Sequence, residues 1–166
     1  MREQPKDRNR LLHIIEAIDT ILDRSEGMTR EDLTADKVLF AGIAYHTMII
    51  GEAAYHLTKA FWKKHPETPW LLIAKMRHNL VHGYYHVDPD VVWSVIKDDL
   101  PPLRKQVARY LAETDWDEWE KSEVVIKETT AHKTLVQTAQ RMKLDGLPVK
   151  QISKYTGLAV EEIKGL

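Results

Sequence analysis

Residues 76–88, MRHNLVHGYYHVD, gather His78, His82 and His86 with Arg77, Tyr84 and Tyr85 in thirteen positions. Three chemistries compete for this set. The first is metal binding: the histidines are four apart, and on a continuous helix two of them would line one face and share a zinc ion. Against it, no glutamate follows His78 as an H-E-x-x-H pattern requires, a helix stop is expected at Gly83, and the chain has no cysteine. The second is structural: a histidine near a helix C-terminus satisfies free carbonyls and complements the dipole, while tyrosines pack at a bundle edge with their hydroxyls in water. The third is acid–base chemistry on a phosphodiester. Histidine takes or gives a proton near neutral pH, and arginine stays charged and grips phosphate oxygens in a planar fork. RNA supplies its own nucleophile, the 2'-hydroxyl, so neither a protein nucleophile nor a metal is required. Arg77 and His82 diverge by about 140° on a regular helix. They converge only where the helix distorts or where two copies of the motif face each other.

The elements that must position these residues read as helices. Leu11, Ile14, Ile15, Ile18, Ile21 and Leu22 recur at three- and four-residue steps, which predicts an amphipathic helix over 7–25, ending near Gly27. Thr29 with Asp32 is a helix-start signal, and Asp36 caps again before a long helix to about Lys64. Leu39, Ile43, His46, Ile50, Ala53, Leu57 and Ala60 form its packing seam. The turn HPETPW precedes a helix from Trp70 to His82. Asp88-Pro89 starts a fourth, which Pro101 and Pro102 should kink or interrupt before Leu103–Leu111 resume. No segment of the first 112 residues alternates well enough for a strand. The expected fold is an all-α, four-helix up-and-down bundle with a small helical C-terminal extension. The expected organisation is a bundle over 1–112, an acidic linker or short helix over 113–131, and a helix-turn-helix-like tail over 132–166.

Hydrophobic content of 43% and charged content of 30% indicate a packed core rather than disorder. The opening MREQPKDRNR is too charged for a secretory leader, and no apolar run of membrane-spanning length stands out, so no membrane association and a cytoplasmic setting are expected. The formal net charge is −1. Residues 1–131 carry 18 Lys/Arg against 22 Asp/Glu, and residues 132–166 carry 6 against 3. That balance excludes a wholesale electrostatic grip on nucleic acid while leaving room for RNA at a focused site.

Arg77 to Tyr84, RHNLVHGY, resembles the R-x4-H-x-Y motif of the HEPN superfamily, and HepT-like toxins in particular. IIGEAAYHLTKAF at 49–61 resembles the family's long-helix signature, and VDPDVVWSVIKDDLPPLRKQV at 87–107 its fourth helix. The likeness covers approximately residues 7–112. It implies a homodimer that brings two motifs to one cleft, and a metal-independent endoribonuclease with no cofactor. By position, Arg77 would stabilise the scissile phosphate and His82 would act as general acid or base. Tyr84 would be the AMPylation site for a minimal nucleotidyltransferase (MNT) antitoxin, making the chain the toxin of a type VII-like pair. His78 stands where asparagine is common, with Asn79 one place later, and is a candidate supporting residue. Glu52 either reaches the cleft to orient Arg77 or His82, or forms a surface pair on its own helix. His46 and His56 read as interior or interfacial polar residues. The tail, MKLDGLPVKQISKYTGLAVEEIKGL, resembles a helix-turn-helix-like ending of various bacterial proteins. It is either a packing module or a contact surface for nucleic acid or a protein partner. Two rival functions remain: a catalytically silent HEPN module that partners a nucleotidyltransferase, and a DNA-binding regulator using residues 147–166.

Overall fold

The computed structural model describes residues 6–82 and 87–166, without the side chains of 78–82 and 123–124. The first apolar stripe forms α1, Asp7–Arg24, with Leu11, Ile14, Ile18 and Ile21 fully buried. Thr29 and Asp32 make a reciprocal capping box at the start of α2, Arg30–Ala35. The Asp36 carboxylate then accepts from the N–H groups of Val38 and Leu39 and starts α3, Lys37–Tyr55.

The sequence pattern carries this helix on to Lys64, but the chain leaves it at His56. Thr58 explains the break. Its N–H and hydroxyl donate to the Asp7 carboxylate at 2.8 and 2.7 Å, and its hydroxyl oxygen accepts from the Phe61 N–H at 3.1 Å, capping a separate α4, Lys59–Lys64. Asp7 is 5% exposed, and a buried carboxylate requires such donors. A tertiary demand from α1 thus overrides the local period of α3.

α5, Trp70–His82, has the span read from the sequence; its expected stop at Gly83 lies outside the described residues. Asp88 caps α6, Pro89–Ser94, by accepting from the Asp90 N–H. A π-helical turn, Val95–Asp99, follows, in which the Leu100 N–H donates to the Val95 carbonyl five residues back. α7, Leu100–Glu113, continues from it. Pro101 and Pro102 lack the N–H groups that an α-helix would aim at Lys97 and Asp98. The π-turn stands where a kink or interruption was expected, and α-helical structure resumes in α7.

α3 packs along α5 and α1, α7 lies on α1, and α2 meets α3 and α6. With α6–α7 as the fourth element, this is the expected all-α bundle, and no strand occurs among the described residues. Phe61, His65, Trp70 and Tyr110 close one end of it, with ring centroids 4.0–6.1 Å apart. One expectation needs correction: α3 does have the length and apolarity of a membrane span, with a mean hydropathy of 1.3 over its best window. The physical reason is its place in the bundle, where it buries Ile43, Ile50, Ala53 and Ala54.

The chain divides into two compact units, one ending at Trp116 and one spanning Asp117–Leu166. The division falls within α8, Trp116–Lys121. The second unit contains α9, Glu123–Leu144, α10, Val149–Thr156, and α11, Val160–Gly165, around Ala139, Ile152, Leu158 and Ile163. Gly157 takes φ 72° at the turn between the last two helices, a left-handed conformation that a Cβ would strain. Lys143 caps α11 by donating to the carbonyls of Ile163 and Lys164.

Candidate active site

α3 and α5 cross at Gly51. A Cβ there would stand 2.9 Å from the Arg77 backbone nitrogen, and 3.0 Å from both Arg77 Cβ and the Ile73 carbonyl oxygen. Glycine therefore lets the two backbones meet at this level. The next residue uses that proximity. Glu52 places Oε2 2.7 Å from Arg77 Nη1 across the crossing, and Oε1 2.9 Å from His56 Nε2 one turn further along α3. The Arg77 guanidinium carbon also lies 4.7 Å from the centroid of the Tyr55 ring. An ion pair along the fork and an aromatic ring against it together restrict the orientation of the guanidinium. The Arg77 side chain is only 15% exposed, against 45% for Glu52.

The hydrogen bond from His56, followed by the charge of Arg77, holds the Glu52 carboxyl below its ordinary range, while desolvation opposes them. Glu52 is therefore ionised at neutral pH and shared between a histidine and an arginine. Arg10, on α1, adds a further cation. Burial lowers its pKa against the opposing charges of Glu52 and Asp7, and its Nε is buried without a hydrogen-bond partner. An arginine has five N–H donors, so pairing with Glu52 leaves donors able to hold phosphate oxygens.

Of the residues singled out from sequence, Arg77 and Glu52 are brought together. His78 and His82 lie on the α5 backbone, His82 as its last residue, and their side chains are not among those described. Tyr84 and His86 fall outside the described residues. The metal reading of His78, His82 and His86 falls there too; among the described residues no group of three or more His, Asp and Glu is placed to hold a metal ion. Sequence reasoning missed the Tyr55 ring, the part His56 plays beside Glu52, and Arg10. The first two carried a signal, since they follow Glu52 by three and four residues on one helix. Arg10 carried none, because only the packing of α1 brings it near.

A family model described as Ribonuclease HepT-like matches residues 14–110, from within α1 to within α7. A proposed RNase of Caldanaerobacter subterraneus subsp. tengcongensis is 38% identical over 101 residues, 61% of this chain and 90% of that one. A "Probable ribonuclease HepT" of Thermococcus cleftensis is 37% identical over 91 residues, 55% of this chain and 83% of that one. A Methanocaldococcus jannaschii protein named as a gamma-glutamylcyclotransferase and proposed RNase is 33% identical over 105 residues, 63% of this chain and 47% of its own length. No solved structure gives a significant match. The likeness covers the helices that carry Glu52 and Arg77, and on it the chain belongs to the ribonuclease HepT-like family.

Proposed function

We propose that the protein is a metal-independent endoribonuclease, with Arg77 and His82 catalytic, acting in the cytoplasm as the toxin of a type VII-like HEPN/MNT pair. One observation carries this reading: Arg77 is nearly buried, oriented by Glu52 and Tyr55, and sits on the helix that ends at His82. In the reaction, the RNA 2'-oxygen attacks the adjacent phosphorus and the P–O5' bond breaks, leaving a 2',3'-cyclic phosphate and a 5'-hydroxyl. His82 takes the proton of the 2'-hydroxyl or supplies one to the leaving 5'-oxygen, and Arg77 stabilises the charge on the non-bridging oxygens. AMPylation of Tyr84 would set a bulky anion in the path of the substrate and repel its phosphates, by the logic that governs phosphorylation.

Two features support a homodimer. α5 is helical through His82, so positions 77 and 82 lie about 140° apart around its axis, and a second copy is the simplest way to complete a cleft. On α3, Val38, Tyr45 and Glu52 share one face at seven-residue spacing, and Val38 and Tyr45 are 84% and 57% exposed. A second copy packed along this face would bring its own motif beside Glu52 and Arg77. The expected boundaries at 112 and 131 belong to the same reading with one adjustment: the second falls inside α9, so the catalytic bundle is followed by the unit Asp117–Leu166, a packing module or a contact surface.

The test is incubation of wild type, Arg77→Ala and His82→Ala with total RNA in EDTA, followed by analysis of fragment ends. Cleavage by wild type alone, leaving 2',3'-cyclic phosphates, is expected. Activity that persists in both variants would refute the catalytic assignment. Absence of cleavage by folded wild type would instead favour the silent binding module. Mixing Arg77→Ala with His82→Ala protein should restore part of the activity if two copies share one centre.

A further inference from the structure

α4, the turn after it and the start of α5 line a wide-open depression of about 420 Å3, and Arg77 is not part of its lining. Its wall is formed by Trp62, Pro66, Pro69, Leu71 and Leu72, with Lys75 at one side. Leu71 and Leu72 are 58% and 65% exposed, so this apolar surface faces outward rather than into the bundle. The wall is held in place. The Trp62 indole donates to the Ala54 carbonyl at 3.2 Å, and the Trp70 indole donates to the His65 carbonyl at 2.9 Å.

Lys75 supplies a cation at the depression itself, and the segment that contributes its wall is basic in sequence. Residues 59–77 carry five cations, Lys59, Lys63, Lys64, Lys75 and Arg77, and one acid, Glu67, within an otherwise acidic body. Glu67 is already engaged, accepting from Arg109 at 2.8 Å and from the Tyr110 hydroxyl at 2.9 Å. An apolar, aromatic wall beside a lysine in a basic stretch suits a ligand with a planar ring and an anionic group. The helix supplies the direction. Lys75 and His82 are seven residues apart on α5, which places them about 10 Å apart along the axis and within about 20° of one face. A single strand with its scissile phosphate at His82 would therefore run back along this face toward the depression.

We infer that the depression is a nucleotide subsite for single-stranded RNA, in which one base stacks against Trp62 and a neighbouring phosphate pairs with Lys75. This rests on the ribonuclease reading given above. Because every base has a π-face, the subsite adds affinity without selecting a base.

The experiment uses the full chain carrying His82→Ala, which removes the proposed acid–base group, and a fluorescein-labelled RNA of about ten nucleotides, within the site sizes typical of single-strand binders. Anisotropy titrations at several salt concentrations compare this parent with versions also carrying Trp62→Ala, Lys75→Ala or Lys75→Glu. Lys105→Glu, an exposed change on α7, is the control for overall charge. Trp62→Ala and Lys75→Glu should each weaken binding about tenfold, and Lys75→Ala should lower the slope of log affinity against log salt by about 1. Lys75→Glu lies at an exposed position and keeps the test decisive even if Trp62→Ala fails to fold. Equal losses from Lys75→Glu and Lys105→Glu would overturn the subsite, as would a change of oligomeric state in place of a change in RNA affinity. If wild type cleaves RNA and the depression variants bind like the parent, the subsite alone falls. If wild type cleaves no RNA and the parent binds none, both readings fall.

Discussion

Glu52→Gln should separate binding from turnover in opposite directions. The substitution keeps the shape of the side chain and removes its charge, so the 2.7 Å contact to Arg77 loses its ionic character. The amide can also rotate to present its NH2 to the guanidinium, which would push the fork out of place. A misplacement on the order of 1 Å at a catalytic group costs about 100-fold in rate, and that is the expected fall in single-turnover cleavage. Binding should move the other way. A phosphate on the far side of the Arg77 fork would stand roughly 7 Å from the Glu52 carboxylate. At an effective dielectric of about 40–80, appropriate to a half-exposed group, the repulsion is about 0.6–1.2 kcal/mol. Its removal should tighten RNA binding about three- to eightfold. Single-turnover rates of Glu52→Gln, together with anisotropy titrations of the same change in a His82→Ala background, measure the two effects independently. An unchanged cleavage rate would refute the idea that Glu52 holds Arg77 in place for the reaction, and weaker binding would refute the claim that the charge of Glu52 opposes the bound phosphate.

Gly51→Ala should destabilise the bundle by about 1–3 kcal/mol, since the added methyl meets Arg77 and Ile73 backbone atoms at 2.9–3.0 Å, and it should also depress cleavage by displacing α5. Thermal denaturation with a parallel RNase assay checks both; an unchanged Tm would show that the crossing has slack. His65 gives a pH prediction. Burial, the largest influence on it, lowers its pKa, so between its folded value and the ordinary value near 6.5 the unfolded chain binds the proton and the folded chain does not. Stability should therefore fall as pH drops below about 6.5. His65→Phe, which keeps a ring against Phe61 and Tyr110, should flatten that part of the profile in denaturant titrations. An identical slope in the variant would assign the effect to other groups.

Local signals carried most of the fold. The capping box at Thr29, the caps at Asp36 and Asp88, and the 3.6-residue stripe of α1 are decided by neighbours in sequence, and they were legible there. The break after Tyr55 was not, because Asp7 imposes it from fifty-one residues away. The π-turn was half legible: two prolines announced a disturbance without saying that it would take the form of a widened turn. At the candidate site, Arg77 was found by its motif, whereas Glu52 was left between two roles because its target lies on another helix. The glycine before it had no visible reason until the backbones of α3 and α5 were seen to meet.

The Asp7–Thr58 contact bears on where this protein can be trimmed. The family likeness begins at residue 14, and a fragment cut to that boundary would discard both Asp7 and Arg10. The loss would be felt far from the cut. Thr58 would keep its bond to the Phe61 N–H but lose the carboxylate that fixes the end of α3, and the junction that leads into α4, with Trp62 on it, would lose this tie to α1. A boundary drawn by resemblance therefore leaves out a brace that this chain uses to fix its own helix junction.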